Sequence, residues 1–226
     1  MDKKIIISIG IIAAIIIVGG LYYIVQPAAA PTQPSQNVVE SLPTTNNSDQ
    51  KMLHIVSGES KATYELGEVL KGKQTHVVGS TGDIAGDIAI SLKDVQKIQI
   101  GEIKINARTF KTDIDMRDQN VRKMVLKSDD PANEFIVFKT TNITGVPATI
   151  ESNKEFPVTI TGDVTIAGVT KSITFTGIAK LSDANELRIN ANTMVTYGDF
   201  GVTVPNFSFL ANVDKTVKLS IALIAR

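Results

Sequence analysis

The sequence predicts an all-β domain: an antiparallel sheet of about eight strands, closed into a barrel or stacked as a sandwich, with one short helix. Ahead of it stands an N-terminal transmembrane helix. Three observations carry this. Apolar residues fall at every second place through most of the chain after Met52, one mid-sequence segment has helical spacing, and the first residues form a long charge-free run.

Residues Ile5 to Val25 are that run. As a helix its 21 residues rise about 31 Å, close to the hydrocarbon thickness of a bilayer. Lys3 and Lys4 precede it and no Lys or Arg follows until Lys51, which places the N-terminus in the cytoplasm and the rest of the chain outside. Tyr22 and Tyr23 sit near the outer end, as interfacial rings do. A cleaved signal peptide is the rival, because Ala28 to Ala30 are small. The run exceeds the usual apolar core of about 7–15 residues, and Pro31 crowds the cut, so residues 1–26 read as an anchor or uncleaved signal. Residues 27–51, rich in Pro, Thr, Ser, Asn and Gln, read as a disordered polar linker that cannot offset its ordering entropy by packing. Residues 52–226 are the folded domain.

Within it, "DIAGDIAISL" places Ile84, Ile88, Ile90 and Leu92 on one parity. In "KIQIGEIKINA" the parity changes at Gly101-Glu102, as at a β-bulge. "EFIVFKTTNI" follows, then "FPVTITGDVTIAG" with Val158, Ile160, Val164 and Ile166 in phase. In "DVTIAGVTKSITFTG" two alternating runs flank a Gly-containing turn, with Ile173 and Phe175 on the apolar side of the second. "ELRINANTMVTY" and "KTVKLSIALIA" complete the strands. Between Asp115 and Pro131, Val121, Met124 and Val125 have helical spacing. Asp115 is placed to cap that helix with Asp118 three residues on, basic residues gather late, and Pro131 marks the stop. One short helix in an all-β chain suggests a plug or lid at one end.

Composition narrows the function. Lys plus Arg equal Asp plus Glu at 23 each, Trp is absent and aromatics make up 5%, which argues against nucleic acid. Absence of Cys removes disulfides, thiolate metal sites and a Cys nucleophile. His54 and His76 lie 22 residues apart without metal-ligand spacing, so a structural or surface role is favoured over a metal site. Asp113, Asp115 and Asp118 fail as a Ca²⁺ loop, with Asp118 where Gly is needed and Met124 where Glu is needed; helix capping explains them better. Asp83 and Asp87 point away from the apolar parity and read as solvated. No Gly-x-Ser-x-Gly appears, and "GSTGDIAG" lacks the ending of a phosphate loop. The sequence offers no catalytic set and no resident cofactor, so an enzyme is not expected.

Two alternatives remain for the interior. Small residues at Gly162, Gly177, Ala179, Ala191 and Thr193 leave room at mid-height for a guest, yet glycines also serve sheet curvature. On the residues alone, packed core and container stay near balance.

The span Met52 to Arg226 resembles the YceI-like family of lipid-binding, lipocalin-like barrels. The likeness is carried by "SKATYELGEVLKGKQTHVVGSTGDIAGDIAISL", "IGEIKINARTFKTDIDMRDQNVRKMVL", "FPVTITGDVTIAGVTKSITF" and "YGDFGVTVPNFSFLANVDKTVKLSI". It implies an extended antiparallel barrel around a long apolar ligand such as a polyisoprenoid, a quinone-like chain or another lipid. Arg117 and Asp118 match the family's Arg-Asp pair, and Asp199, Phe200 and Gly201 its later corner. On this implication the ligand meets Ile88, Ile90, Ile103 and Ile105, then Val158, Ile160, Ile173 and Phe175, then Ile189, Ala191, Thr193 and Phe200, with Arg117 and Asp118. Together with the anchor read at residues 5–25, this gives an extracytoplasmic protein tethered to the cell membrane that sequesters or shuttles its lipid; a homodimer is compatible with it. The alternative is a structural or stress-related envelope module with a filled barrel. Many family members are soluble with a cleaved signal, and the anchor and linker depart from that pattern.

Overall fold

The computed structural model describes residues 26–43, 50–91, 94–204 and 210–226. The predicted anchor at 5–25 and Leu92 lie outside them. Among the described residues no helix is long and apolar enough to cross a membrane.

The described residues form an all-β, strongly curled antiparallel half-barrel with one short helix. Its strands are β1 (Gln50–His54), β2 (Lys61–Leu70), β3 (Lys73–Thr81), β4 (Ile84–Ala85), β5 (Asp87–Ser91), β6 (Gln99–Ile100) and β7 (Ile103–Asn106). After the helix come β8 (Phe135–Thr144), β9 (Glu155–Ile166), β10 (Val169–Leu181), β11 (Leu187–Thr196), β12 (Leu210–Val213) and β13 (Thr216–Ala225). The large sheet runs β12-β2-β13-β11-β10-β9-β8-β7-β4, with β3 paired to β2; a smaller sheet runs β1-β5-β6. The run from Lys73 to Ala85 therefore pairs with β2 through β3 and with β7 through β4, at opposite ends of the path.

The segments outnumber the eight strands expected because the long runs are broken. Gly86 separates β4 from β5, which cross into different sheets. The parity change at Gly101-Glu102 is likewise no bulge within one strand: Ile100 pairs with Ile88 in the small sheet and Ile103 with Phe138 in the large one. The β9–β10 hairpin follows its alternation, turning at Ala167-Gly168, both with positive φ. Glycine at the second place makes that turn inexpensive.

The helical segment is shorter than expected. Helix α1 spans Asp115–Asn120 and passes into a π-helical turn, Val121–Val125, where Leu126 N donates to Val121 O at 2.8 Å. Ile114, not Asp115, holds the capping position, and Asp118 instead accepts from Thr112 N and Oγ1, both at 2.6 Å. Pro131 opens a separate 3₁₀ turn.

The half-barrel has two unlike ends. Ala225 bridges Ile55 just beyond β1, so the small sheet closes the end where β13 finishes. Leu53, Ile88, Ile160, Leu187, Ile189 and Leu223 are almost fully buried in the core there. Helix α1 sits at the other end, beside the last residues of β2: Arg117 Nη2 lies 2.6 Å from Glu68 Oε1.

Of the two alternatives left open for the small residues at mid-height, the structure shows the filled one at Gly162 and Gly177. A Cβ on Gly177 would lie 1.9 Å from Asn190 O and 2.5 Å from Ala191 Cα, and one on Gly162 would strike the Phe138 ring. Gly177 admits the backbone of its paired neighbour on β11 and Gly162 an overlying ring, so neighbours fill their space. Gly177→Ala should accordingly destabilise the domain by about 1–3 kcal/mol, because the obstruction is backbone and cannot swing away. A urea titration checks it, and an unchanged midpoint counts against so close an approach.

Residues 26–43, predicted to be part of a coil, lie along the domain. Ala29 N donates to Asp129 Oδ1 (2.7 Å), Thr32 N and Oγ1 to the Glu134 carboxylate (2.7 and 2.8 Å), and Ser35 N to Asp83 Oδ1 (2.8 Å). Asn106 donates to Gln33 O, Lys104 to Val38 O, and Leu42 N to Asp87 Oδ2. Ser35 is fully buried. The reason is electrostatic: the domain presents nearly buried Asp87, Asn106, Arg108 and Glu134, and the strap supplies backbone groups for them. Asp83 and Asp87 are therefore strap acceptors, not solvated acids.

Candidate functional site

The end of the half-barrel beside α1 encloses a cavity of about 580 Å³. Its wall comes from alternate, inward residues of β2, β7, β8, β9, β10, β11 and β13, and from the inner side of α1 and its π-helical turn. Phe138 and Phe175 meet edge-on with centroids 5.9 Å apart, and Leu223 lies with them at the boundary to the solid core. Val195, Val217, Leu219 and Ile221 form one side; Ile84, Ile103, Ile105 and Ile136 form another. Val121, Val125 and Leu126 cover it from the helical segment. Side chains from these strands fill the end near the small sheet and leave this space open.

Polar groups are few and gather toward the helix. Arg117 bridges Glu68 of β2 and Asp113 ahead of α1, each at 2.6 Å, with Glu68 almost buried. This pair ties α1 to the β2 edge across the opening. Tyr64 lies flat against Gly79 of β3, where a Cβ would be 2.2 Å from its ring, and stands 5.6 Å from Phe110. Burial holds the Tyr64 phenol above its ordinary pKa, with the Asp118 charge adding to it, so the group stays protonated. Ile114 and Met116 are part of the lining yet also exposed, which makes an apolar rim.

Of the residues predicted to meet a ligand, Ile103, Ile105, Phe175, Phe200 and Arg117 are brought together here. Ile88, Ile90, Val158, Ile160, Ile189 and Ala191 are buried in the solid part of the core. Ile173 and Thr193 are half-buried beyond the lining, and the Asp118 carboxylate turns to Thr112. Phe200 and Gly201 form the expected corner, a 3₁₀ turn over Tyr197–Phe200 ended by Gly201 at φ 63°. Tyr64, Phe110, Phe138, Val195, Val217, Leu219 and Ile221 line the cavity without having been chosen. Several share the apolar parity of their strands, but parity marks a face and not a position along the axis.

The remaining candidates are structural contacts. Nδ1 of His54 lies 2.7 Å from Asp87 Oδ1, and Nε2 of His76 lies 3.7 Å from Glu65 Oε2, both rings largely exposed. Among the described residues no cluster of His and carboxylates could hold a metal ion.

The architecture has relatives among solved structures. BcnA of Burkholderia cenocepacia aligns with a TM-score of 0.58 at 15% identity, covering 76% of this chain and 99% of that one. A polyisoprenoid binding domain from Saccharophagus degradans, implicated in plant cell wall breakdown, aligns with a TM-score of 0.59 at 12% identity, covering 77% and 97%. At these identities the likeness shows a shared fold. No curated protein matches the sequence. The YceI-like domain model matches residues 54–225, from the end of β1 to the end of β13, and the chain accordingly belongs to the YceI-like family.

Proposed function

We propose that this protein binds a long apolar lipid, polyisoprenoid or quinone-like, in the cavity beside α1 and sequesters or shuttles it without covalent chemistry. The observation that carries the reading is the 580 Å³ apolar space with its polar groups at one end. The structural relative from Saccharophagus degradans, a polyisoprenoid binding domain, supports it. A filled structural module is the weaker reading, because such a module has no use for an open cavity of this size.

Volume bounds the guest. An engineered cavity of about 150 Å³ takes up benzene, so a space of about 580 Å³ holds roughly four such rings' worth, or about 20–25 carbons. Burying each CH₂ is worth about 0.8 kcal/mol relative to water, but the bilayer already supplies most of that. Transfer is near neutral, and selectivity comes from length, branching fit and contacts near Arg117 and Glu68. The anchor reading of residues 5–25 places the domain extracytoplasmically on the cell membrane and raises encounter frequency with the lipid reservoir.

Native mass spectrometry of the chain from Gln26 onward, offered polyprenols of graded length, tests the proposal. One lipid should bind per chain, with a maximum near four or five isoprene units. No adduct at any length would refute a carrier role.

A further inference from the structure

We propose that residues 26–43 are an orienting strap that presses the mouth of the cavity against a phospholipid bilayer. This rests on the reading of residues 5–25 as a membrane anchor.

The order of strap contacts sets the geometry. Its first described residue, Gln26, directly follows the apolar run and accepts a hydrogen bond from Lys123 Nζ at 3.0 Å. Lys123 lies in the π-helical turn between Val121 and Val125, which cover the cavity. From there the strap passes Asp129, Glu134, Asp83 and finally Asp87, moving toward the small sheet at the solid end. The anchor therefore leaves the domain beside the mouth, with the strap bonded down the flank. A free linker of 25 residues would let the domain tumble; a docked one does not.

The rim has the chemistry to meet that surface. Met116 is 68% exposed and Ile114 37% exposed, and both also line the cavity. Met116 and Lys123 are seven residues apart, about 10 Å along a helix at 1.5 Å per residue, so rim and anchor exit are close together. Lys71 against Asp113 and Asp115 leaves about one net negative charge at the rim, so apolar insertion and the tether, rather than attraction to anionic headgroups, are the forces that hold it. A lipid then passes between bilayer and cavity without crossing water.

Because the chain has no cysteine, single-site labelling is direct. Full-length Met116→Cys and Ile178→Cys would each carry an environment-sensitive fluorophore and be reconstituted in phosphatidylcholine vesicles containing nitroxide lipids. Ile178 is also exposed, but lies on β10 toward the solid end. Position 116 should be quenched at least twofold more than position 178, insensitively to salt. A chain that fails to float with vesicles sinks the anchor reading. Flotation with equal quenching at both sites leaves the anchor standing and overturns the orientation. Thr32→Val with Ser35→Ala should bring quenching at 116 down to that at 178 without loss of flotation. A flexible Gly-Ser insertion between Val25 and Gln26, which leaves all strap contacts intact, should do the same; persistent strong quenching with that insertion would overturn the strap's part.

Discussion

Leu219→Trp should lower lipid uptake by at least tenfold while the domain remains folded. Leu219 is half-buried, faces the cavity from β13 and pairs across the sheet with Tyr64 and Thr193. A larger side chain in a packed core costs about 1–3 kcal/mol, but here it has open space to enter. The indole would occupy volume needed by the guest, and a tenfold loss requires only about 1.4 kcal/mol of lost contact. The protein has no other tryptophan, so its emission reports directly on whether the ring is dry and whether lipid displaces it. Met194→Trp, on an exposed place of neighbouring β11, should leave uptake unchanged. Undiminished binding by Leu219→Trp would mean that the lipid sits elsewhere.

Arg108→Ala should be the most destabilising single change, at about 3–5 kcal/mol, because it leaves a buried charge without its partner. Arg108 is 2% exposed; its Nε donates to Ser128 O at 2.6 Å, and Nη1 to Ala30 O at 3.1 Å and Glu134 Oε2 at 2.8 Å. Without the guanidinium, the Glu134 carboxylate is left, among the described residues, with its strap donors Thr32 N and Oγ1. With a urea dependence of about 2 kcal/mol per molar, the midpoint should fall by about 1.5–2.5 M. Arg108→Met combined with Glu134→Leu should recover much of that, since an apolar pair carries no desolvation cost. A loss below about 1 kcal/mol for Arg108→Ala would show that water and the strap donors satisfy Glu134 without the guanidinium.

Elements whose partners lie nearby in the chain were legible. The β9–β10 hairpin is written in its alternation and its Ala167-Gly168 turn, and the corner at Tyr197–Gly201 in its residue types. The strap was not legible. Its composition is that of a coil, and the acids that hold it, Asp83, Asp87, Asp129 and Glu134, stand 45 to 102 residues away. Gly162 and Gly177 misled for a related reason: a small residue marks a close approach as readily as a vacancy, and only coordinates show what approaches.

From residues alone came the all-β class, the order of the long strands, the inward parity and the family likeness. The first three depend on period-two alternation and on local turns, and the likeness on four motifs in the same order. The folded chain decided which half of the interior is solid and which is open, because alternation repeats identically along the axis while packing depends on what faces each residue across it. It also decided that a polar N-terminal stretch is part of the domain, through buried charges that a one-dimensional reading leaves without partners.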